Sequence, residues 1–195
     1  MKAPFGIALI AATALAGCTT MSAAPVEVTR FHLGAPLERG SFTVEPASGG
    51  GGLEFATYAN AVGGELAAAG YTAPTTPATA QYLAVVGISR TEREGTPRRS
   101  GLSIGLGGGG YTGGVGLGGG ISLPIGKRGG REIVFSEMSV QLRRRTDGTV
   151  IWEGRAQTAA ELRSAEAQAG VTAGKLAHAL FQGFPGESGR TITVK

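Results

Sequence analysis

The sequence predicts an α+β fold: a two-layer sandwich of mainly antiparallel sheet, two helices on one face, and a long glycine-rich hairpin or loop. Three observations predict it. Short stretches with two-residue alternation occur near both ends of the folded part. Two stretches carry apolar residues at three- and four-residue steps, the period of a helix with one buried face. Between the two helical stretches, a pair of long strand-like runs flanks Asp147-Gly148, which is turn chemistry. Strands and helices mixed without a strict alternation fit a two-layer arrangement.

In chain order, the first predicted strands are Val26 to His32 and Ser41 to Pro46. In the second, Phe42 and Val44 alternate with Thr43 and Glu45, as in a half-buried strand. A helix is predicted over Leu53 to Ala69, with Phe55, Tyr58 or Ala59, Val62 and Leu66 on one face. Gly63 and Gly64 mark either close packing or a break, and Gly70 ends the helix in a left-handed conformation. Tyr82 to Ser89 is nearly continuous in apolar residues, which predicts an interior strand buried on both sides.

The chain contains 35 glycines, 15 of them between Gly101 and Gly130. Within that stretch Leu102, Ile104 and Leu106 alternate with small residues, as do Val115 and Leu117, and then Ile121, Leu123 and Ile125. Tyr111-Thr112-Gly113-Gly114 would turn the chain between two arms. A ribbon with one aliphatic face satisfies this pattern. A loop satisfies it as well, because glycine loses the most conformational entropy on ordering.

Ile133 to Arg145 and Thr149 to Thr158 form the clearest hairpin. A two-residue loop would set Leu142 opposite Glu153. A three-residue loop, with Gly148 left-handed, pairs Leu142 with Trp152 and Met138 with Ala156 and keeps one face apolar. The second register is the expected one, with Arg143 and Arg145 on the opposite face near Glu153. A second helix is predicted from about Ala160 to Phe181, interrupted at Gly170 and Gly174. Phe184-Pro185-Gly186 stops it, and Thr191 to Val194 is a closing strand.

Several of these segments together resemble a known group. Gly52-Leu53-Glu54-Phe55, Glu153-Gly154-Arg155-Ala156 and Gly183-Phe184-Pro185-Gly186-Glu187-Ser188-Gly189, in this order, resemble the bacterial lipoproteins grouped as domain of unknown function 4136. The resemblance implies a lipobox, a glycine-rich middle and a phenylalanine-proline-glycine stop before the last strand. It implies no catalytic residue.

The N-terminus carries the lipobox pattern. Lys2 precedes an apolar run from Phe5 to Leu15, too short for a membrane span, and Leu15-Ala16-Gly17-Cys18 closes it. The pattern resembles a lipoprotein signal, and the resemblance implies cleavage between Gly17 and Cys18 with lipid attached to Cys18. Several acyl chains on one residue anchor durably, at about 0.8 kcal/mol per buried CH₂. Cys18 is the only cysteine, so an exported chain has no disulfide to form. The expected organisation is a signal peptide over 1–17, a lipidated tether over 18–25, and one domain over 26–195 with a glycine-rich insertion at about 100–130. Thr19, where an aspartate would signal inner-membrane retention, resembles the outer-membrane class, so the expected address is the outer membrane facing the periplasm.

The formal net charge of +4 is too mild to point to nucleic acid, and an envelope address removes that partner. Gly105, Gly107 and Gly110 match a phosphate-loop spacing formally, yet no helix follows. His32 and His178 have no metal-ligand spacing, so neither a metal nor a cofactor beyond the lipid is expected. No serine sits in a nucleophile elbow, and Glu161 and Glu166, five apart on a helix, share a face poorly. No catalytic residue is assigned.

The remaining cluster is basic. Arg90, Arg93, Arg98 and Arg99 precede the glycine-rich stretch, and Lys127, Arg128 and Arg131 follow it, against Glu92, Glu94 and Glu132. On a hairpin these would form a collar below an aliphatic arm. The candidate contact residues are Leu102, Ile104, Leu106, Tyr111, Val115, Leu117, Arg98, Arg99, Lys127 and Arg128, facing an anionic lipid surface or an envelope protein. The expected role is a non-catalytic, membrane-anchored binding or scaffold module. The alternatives are an envelope hydrolase or ligand-binding enzyme with a cleft under the glycine-rich loop, and a structural lipoprotein that self-associates through an open strand edge. The oligomeric state is left open.

Overall fold

The computed structural model describes residues 24–34, 36–49, 51–94 and 132–195. Its strands are β1 (Val26–His32), β2 (Phe42–Pro46), β3 (Tyr82–Glu94), β4 (Glu132–Arg144), β5 (Val150–Glu161) and β6 (Thr191–Val194). Its helices are α1 (Leu53–Ala68) and α2 (Ala169–Phe181), with short 3-10 turns at Pro77–Thr79 and Ala165–Ala167. The strands form one six-stranded sheet in the order β2-β3-β4-β5-β1-β6. β2 and β3 pair in parallel across α1, and every other neighbouring pair is antiparallel. The α+β class and the two-layer arrangement are as the sequence predicts.

Both helices lie on one face of the sheet, because alternating strand residues supply one shared core. Val26 and Val28, Ala84 and Val86, Met138, Val140 and Leu142, and Trp152 and Ala156 meet Tyr58, Val62 and Leu66 of α1 and Ala173, Leu176 and Leu180 of α2. At about 25 cal/mol per Å² of apolar surface, burying each such aliphatic side chain contributes about 1.5–3 kcal/mol. α1 runs unbroken through Gly63 and Gly64, with Gly63 facing the Phe42 ring. It ends at Gly70, whose φ of +92° lets the Tyr71 and Gly70 N–H groups bond the Leu66 and Ala67 carbonyls.

The hairpin register is the one chosen from the pattern. Leu142 stands opposite Trp152 and Met138 opposite Ala156, and Gly148 turns the chain at φ +71°. A register irregularity between Leu142 and Arg143 absorbs the extra loop residue. Arg143 bonds Gln141, which in turn donates to Glu153 at 3.2 Å. Arg145 differs from expectation. It donates to the Ala80 and Pro77 carbonyls at 2.9 and 3.1 Å and pairs with Glu45, because the turn carries it back over the start of β3.

Two further expectations are corrected. β3 is interior but buried on one face only: Ala84 and Val86 are buried while Leu83 and Val85 are half-exposed on the uncovered side. No helix among the described residues lies on that side, so continuous apolarity here did not report two-sided burial. The second helix starts at Ala169 rather than Ala160, and Gly170 and Gly174 do not interrupt it. Residues 159–161 continue β5, pairing with Phe135, Val134 and Ile133. The start of β4 has polar backbone groups to satisfy, and that requirement outweighs the weak strand propensity of Ala159 and Ala160. Glu161 and Glu166 therefore lie on a strand end and a 3-10 turn, not on one helix.

Candidate functional site

The register places several chain exits together. β1 begins, β3 ends, β4 begins and β5 ends at the same end of the sheet, since each is antiparallel to its neighbour. Glu94 and Glu132 are register partners, so the glycine-rich stretch leaves and returns side by side from a β3–β4 stem. The N-terminal chain enters at this end. The Thr158 hydroxyl donates to the Pro25 carbonyl at 3.0 Å, and the Ala24 N–H reaches Glu166 at 3.4 Å.

Both helices start here as well. Arg90 on β3 donates to the Ala167 carbonyl at 2.7 Å and pairs with Glu54 in the first turn of α1 at 3.4 Å. At the far end His178 of α2 meets Glu65 of α1 at 3.3 Å. α1 and α2 therefore run parallel, with their N-termini at the stem end. Burial pushes the Tyr58 phenol above its ordinary range, offset by the neighbouring Arg90 cation.

On the uncovered face of the stem, the Arg93 guanidinium lies 5.6 Å from the centre of the Phe135 ring. With Ser89, Thr91, Glu137 and Gln157 these two line an open depression of about 100 Å³. That volume is small beside the ~300–1,000 Å³ of a typical ligand cleft.

Of the residues predicted to carry function, Gly17, Cys18, Arg98, Arg99, Leu102, Ile104, Leu106, Tyr111, Val115, Leu117, Lys127 and Arg128 lie outside the described residues. Of the predicted basic collar only Arg90 and Arg93 are among the described residues, and they lie on opposite faces of the stem: Arg90 turns to Ala167 and Glu54 on the helix side, and Arg93 to Phe135 on the uncovered side.

The opposite end holds a clasp that sequence reading did not identify. Arg30 is 4% exposed on the covered face of β1. Its Nε donates to the Leu180 carbonyl at 2.8 Å, and its Nη2 to the Ala179 and Gln182 carbonyls at 2.9 and 3.0 Å. A cation on the last carbonyls of α2 complements the negative end of the helix dipole. Desolvation lowers the Arg30 pKa from its usual value, but a guanidinium keeps its charge. The available signal was alternation, because Val26 and Val28 place residue 30 on the inward face.

The segment from Gly183 to Gly189 closes over this clasp. Gly186 takes φ +81° against the Arg30 guanidinium, leaving no room for a Cβ. The Phe184–Pro185 bond is cis, and the Trp152 indole N–H donates to the Pro185 carbonyl at 3.0 Å. The Trp152, Phe181 and Phe184 rings pack with centroids 5.2–5.6 Å apart. His32 accepts from the Gly34 N–H at its Nδ1, so its Nε2 carries the proton and donates to the Gly186 carbonyl at 3.1 Å. These contacts explain the Gly183–Gly189 stretch as architecture. Among the described residues no group of three or more His, Cys, Asp or Glu side chains is placed to hold a metal ion.

Comparison with known proteins gives the following. The family model described as Domain of unknown function (DUF4136) matches residues 40–186. An uncharacterized protein of Zymomonas mobilis is 30% identical over 216 aligned positions, covering 88% of this chain and 80% of that one. Among solved structures, a PelC dodecamer from Paraburkholderia phytofirmans is similar at 13% identity and TM-score 0.41, covering 80% of this chain and 93% of its own. A PDZ domain protein from Parabacteroides distasonis is similar at 12% identity and TM-score 0.48, covering 87% of this chain and 39% of its own.

Proposed function

The chain belongs to the family described as Domain of unknown function (DUF4136), and on that premise we propose that it is a lipid-anchored module of the bacterial envelope that binds rather than catalyses. In this reading the chain is cut between Gly17 and Cys18, Cys18 carries the lipid, and the domain sits at the outer membrane facing the periplasm. Residues 95–131 supply the contact with an envelope protein or an anionic lipid surface, through Leu102, Ile104, Leu106, Tyr111, Val115 and Leu117 with Arg98, Arg99, Lys127 and Arg128.

One observation carries the reading: the N-terminal chain and the glycine-rich stretch share one end of the sheet. The tether over 19–25 spans at most about 25 Å when extended. A lipid on Cys18 would therefore hold that end of the domain close to a bilayer. That stretch contains five basic and no acidic side chains. Each basic residue near an anionic surface contributes about 1 kcal/mol.

Mass spectrometry of the native protein tests the anchor; acylated Cys18 as the first residue is expected, and a bare Cys18 or a retained leader refutes it. Deleting 101–126 tests the contact. The circular dichroism of the domain should be unchanged and crosslinked partners from envelope extracts should disappear. Unchanged capture would refute the assigned role of the stretch.

A further inference from the structure

We propose that His32 is an acid-sensitive latch: its ring fits its seat only when neutral, and protonation frees the Gly34 turn and the Gly186 carbonyl from the end of β1. This goes beyond the binding role and does not depend on the lipid anchor.

Both ring nitrogens of His32 meet main-chain groups of fixed polarity. The Gly34 N–H can only donate, and its nitrogen lies 3.1 Å from Nδ1. The Gly186 carbonyl can only accept, and it lies 3.1 Å from Nε2. One form satisfies both, the neutral ring with its proton on Nε2. A second proton would put a donor on Nδ1 facing the donor of Gly34, so the turn must open or the ring must leave.

The described surroundings drive the ring out. Arg30, two residues back on β1, sets its guanidinium against Gly186, the residue that His32 holds. An imidazolium there would join a buried guanidinium whose bonds go to the Leu180, Ala179 and Gln182 carbonyls. The carbonyl end of α2 attracts a cation, but Arg30 already occupies it. Arg39, over the Phe184 ring at 5.7 Å, adds another positive charge beside the same stretch. Glu187, next to Gly186, is paired with Arg190 at 3.0 Å. On β5 the register partner of His32 is Trp152, while Glu153 stands opposite Phe31 and accepts from Gln141 on the uncovered face. Ser188 contributes only its hydroxyl, which accepts from the His32 N–H at 3.1 Å. A like charge beside Arg30 is unfavourable, so the protonated ring leaves both partners.

The molecule carries its own reporter. Trp152 is the only tryptophan, and its indole N–H donates to the carbonyl of Pro185, the neighbour of Gly186. Intrinsic fluorescence of the purified protein would be followed from about pH 8 to about pH 5, the range in which imidazoles titrate. The parent should show one sigmoidal shift of Trp152 emission to longer wavelength, with its far-ultraviolet circular dichroism unchanged. His32→Gln keeps an uncharged N–H donor at every pH and should lose that shift. His178→Gln, which removes the surface contact with Glu65, should retain it. A parent without the shift, or a shift that persists in His32→Gln, overturns the latch. Should His32→Gln not fold, nuclear magnetic resonance of the parent decides. The Gly34 and Gly186 amide signals should move together with the His32 ring signals on acidification. Amides that stay fixed while the ring titrates overturn the latch.

Discussion

The Arg30 guanidinium lies on the carbonyl end of α2, its Nε 2.8 Å from the Leu180 oxygen. A charge buried to this degree ordinarily requires a carboxylate, and here three main-chain carbonyls at a helix terminus accept its hydrogen bonds. The arrangement ties β1, at one side of the sheet, to the helix layer above it.

Arg30→Met should therefore destabilise the domain by about 3 kcal/mol, because it strips the Ala179, Leu180 and Gln182 carbonyls of their donor. Arg30→Lys should recover only part of that, since one ammonium lacks the planar fork that serves three acceptors. Urea denaturation of the three proteins checks both; a Lys variant as stable as the parent would show that charge alone matters.

Glycine-to-alanine changes should have opposite signs at two positions. A Cβ on Gly154 would stand 2.4 Å from the Trp152 ring and 2.7 Å from Leu180 Cδ1, so Gly154→Ala should cost about 1–3 kcal/mol. Gly174 is interior to α2 with open space at its Cβ position, so Gly174→Ala should stabilise by about 1 kcal/mol. Thermal unfolding of the pair distinguishes packing from backbone entropy.

Asp147 gives a pH dependence. The Thr149 N–H, and then Arg144, hold its carboxyl below the usual range. A depressed folded-state pKa contributes stability above the unfolded-state value, and that contribution is lost as pH falls through the folded-state value. Asp147→Asn should thus be less stable than the parent at neutral pH, with the gap narrowing in acid. A gap that stays constant down to the acid limit would mean that the carboxylate charge is irrelevant to the turn.

Glu94 and Glu132 stand directly opposite each other, the geometry that a two-residue turn joins. Replacing residues 95–131 with Asn-Gly should leave the fold intact and its stability no lower than the parent's, since closing a shorter loop costs less entropy. Loss of cooperative unfolding would show that the sheet depends on the replaced stretch.

Much of the fold was legible because it is written in local chemistry. Gly148 and the apolar face of Met138, Val140 and Leu142 were enough to select the hairpin register. Gly70 announced the end of α1. The 159–161 segment was not legible, because alanine suits helix and strand alike and the deciding partner, the start of β4, is over twenty residues away. Arg145 was misplaced for the same reason: its partners Ala80, Pro77 and Glu45 are remote in sequence.

Taken by itself, the sequence determined the α+β class, the elements marked by turn glycines and alternation, and the family resemblance carried by Gly52–Phe55, Glu153–Ala156 and the Gly183–Gly189 stretch in that order. Only tertiary structure decided that the chain entering at Ala24, both helix N-termini and the stem share one end, and that Arg30 caps α2 at the other. The physical reason is range. Turn chemistry and periodicity act within a few residues, whereas strand order and the partners of a buried cation are set by which distant segments must satisfy each other's backbone groups.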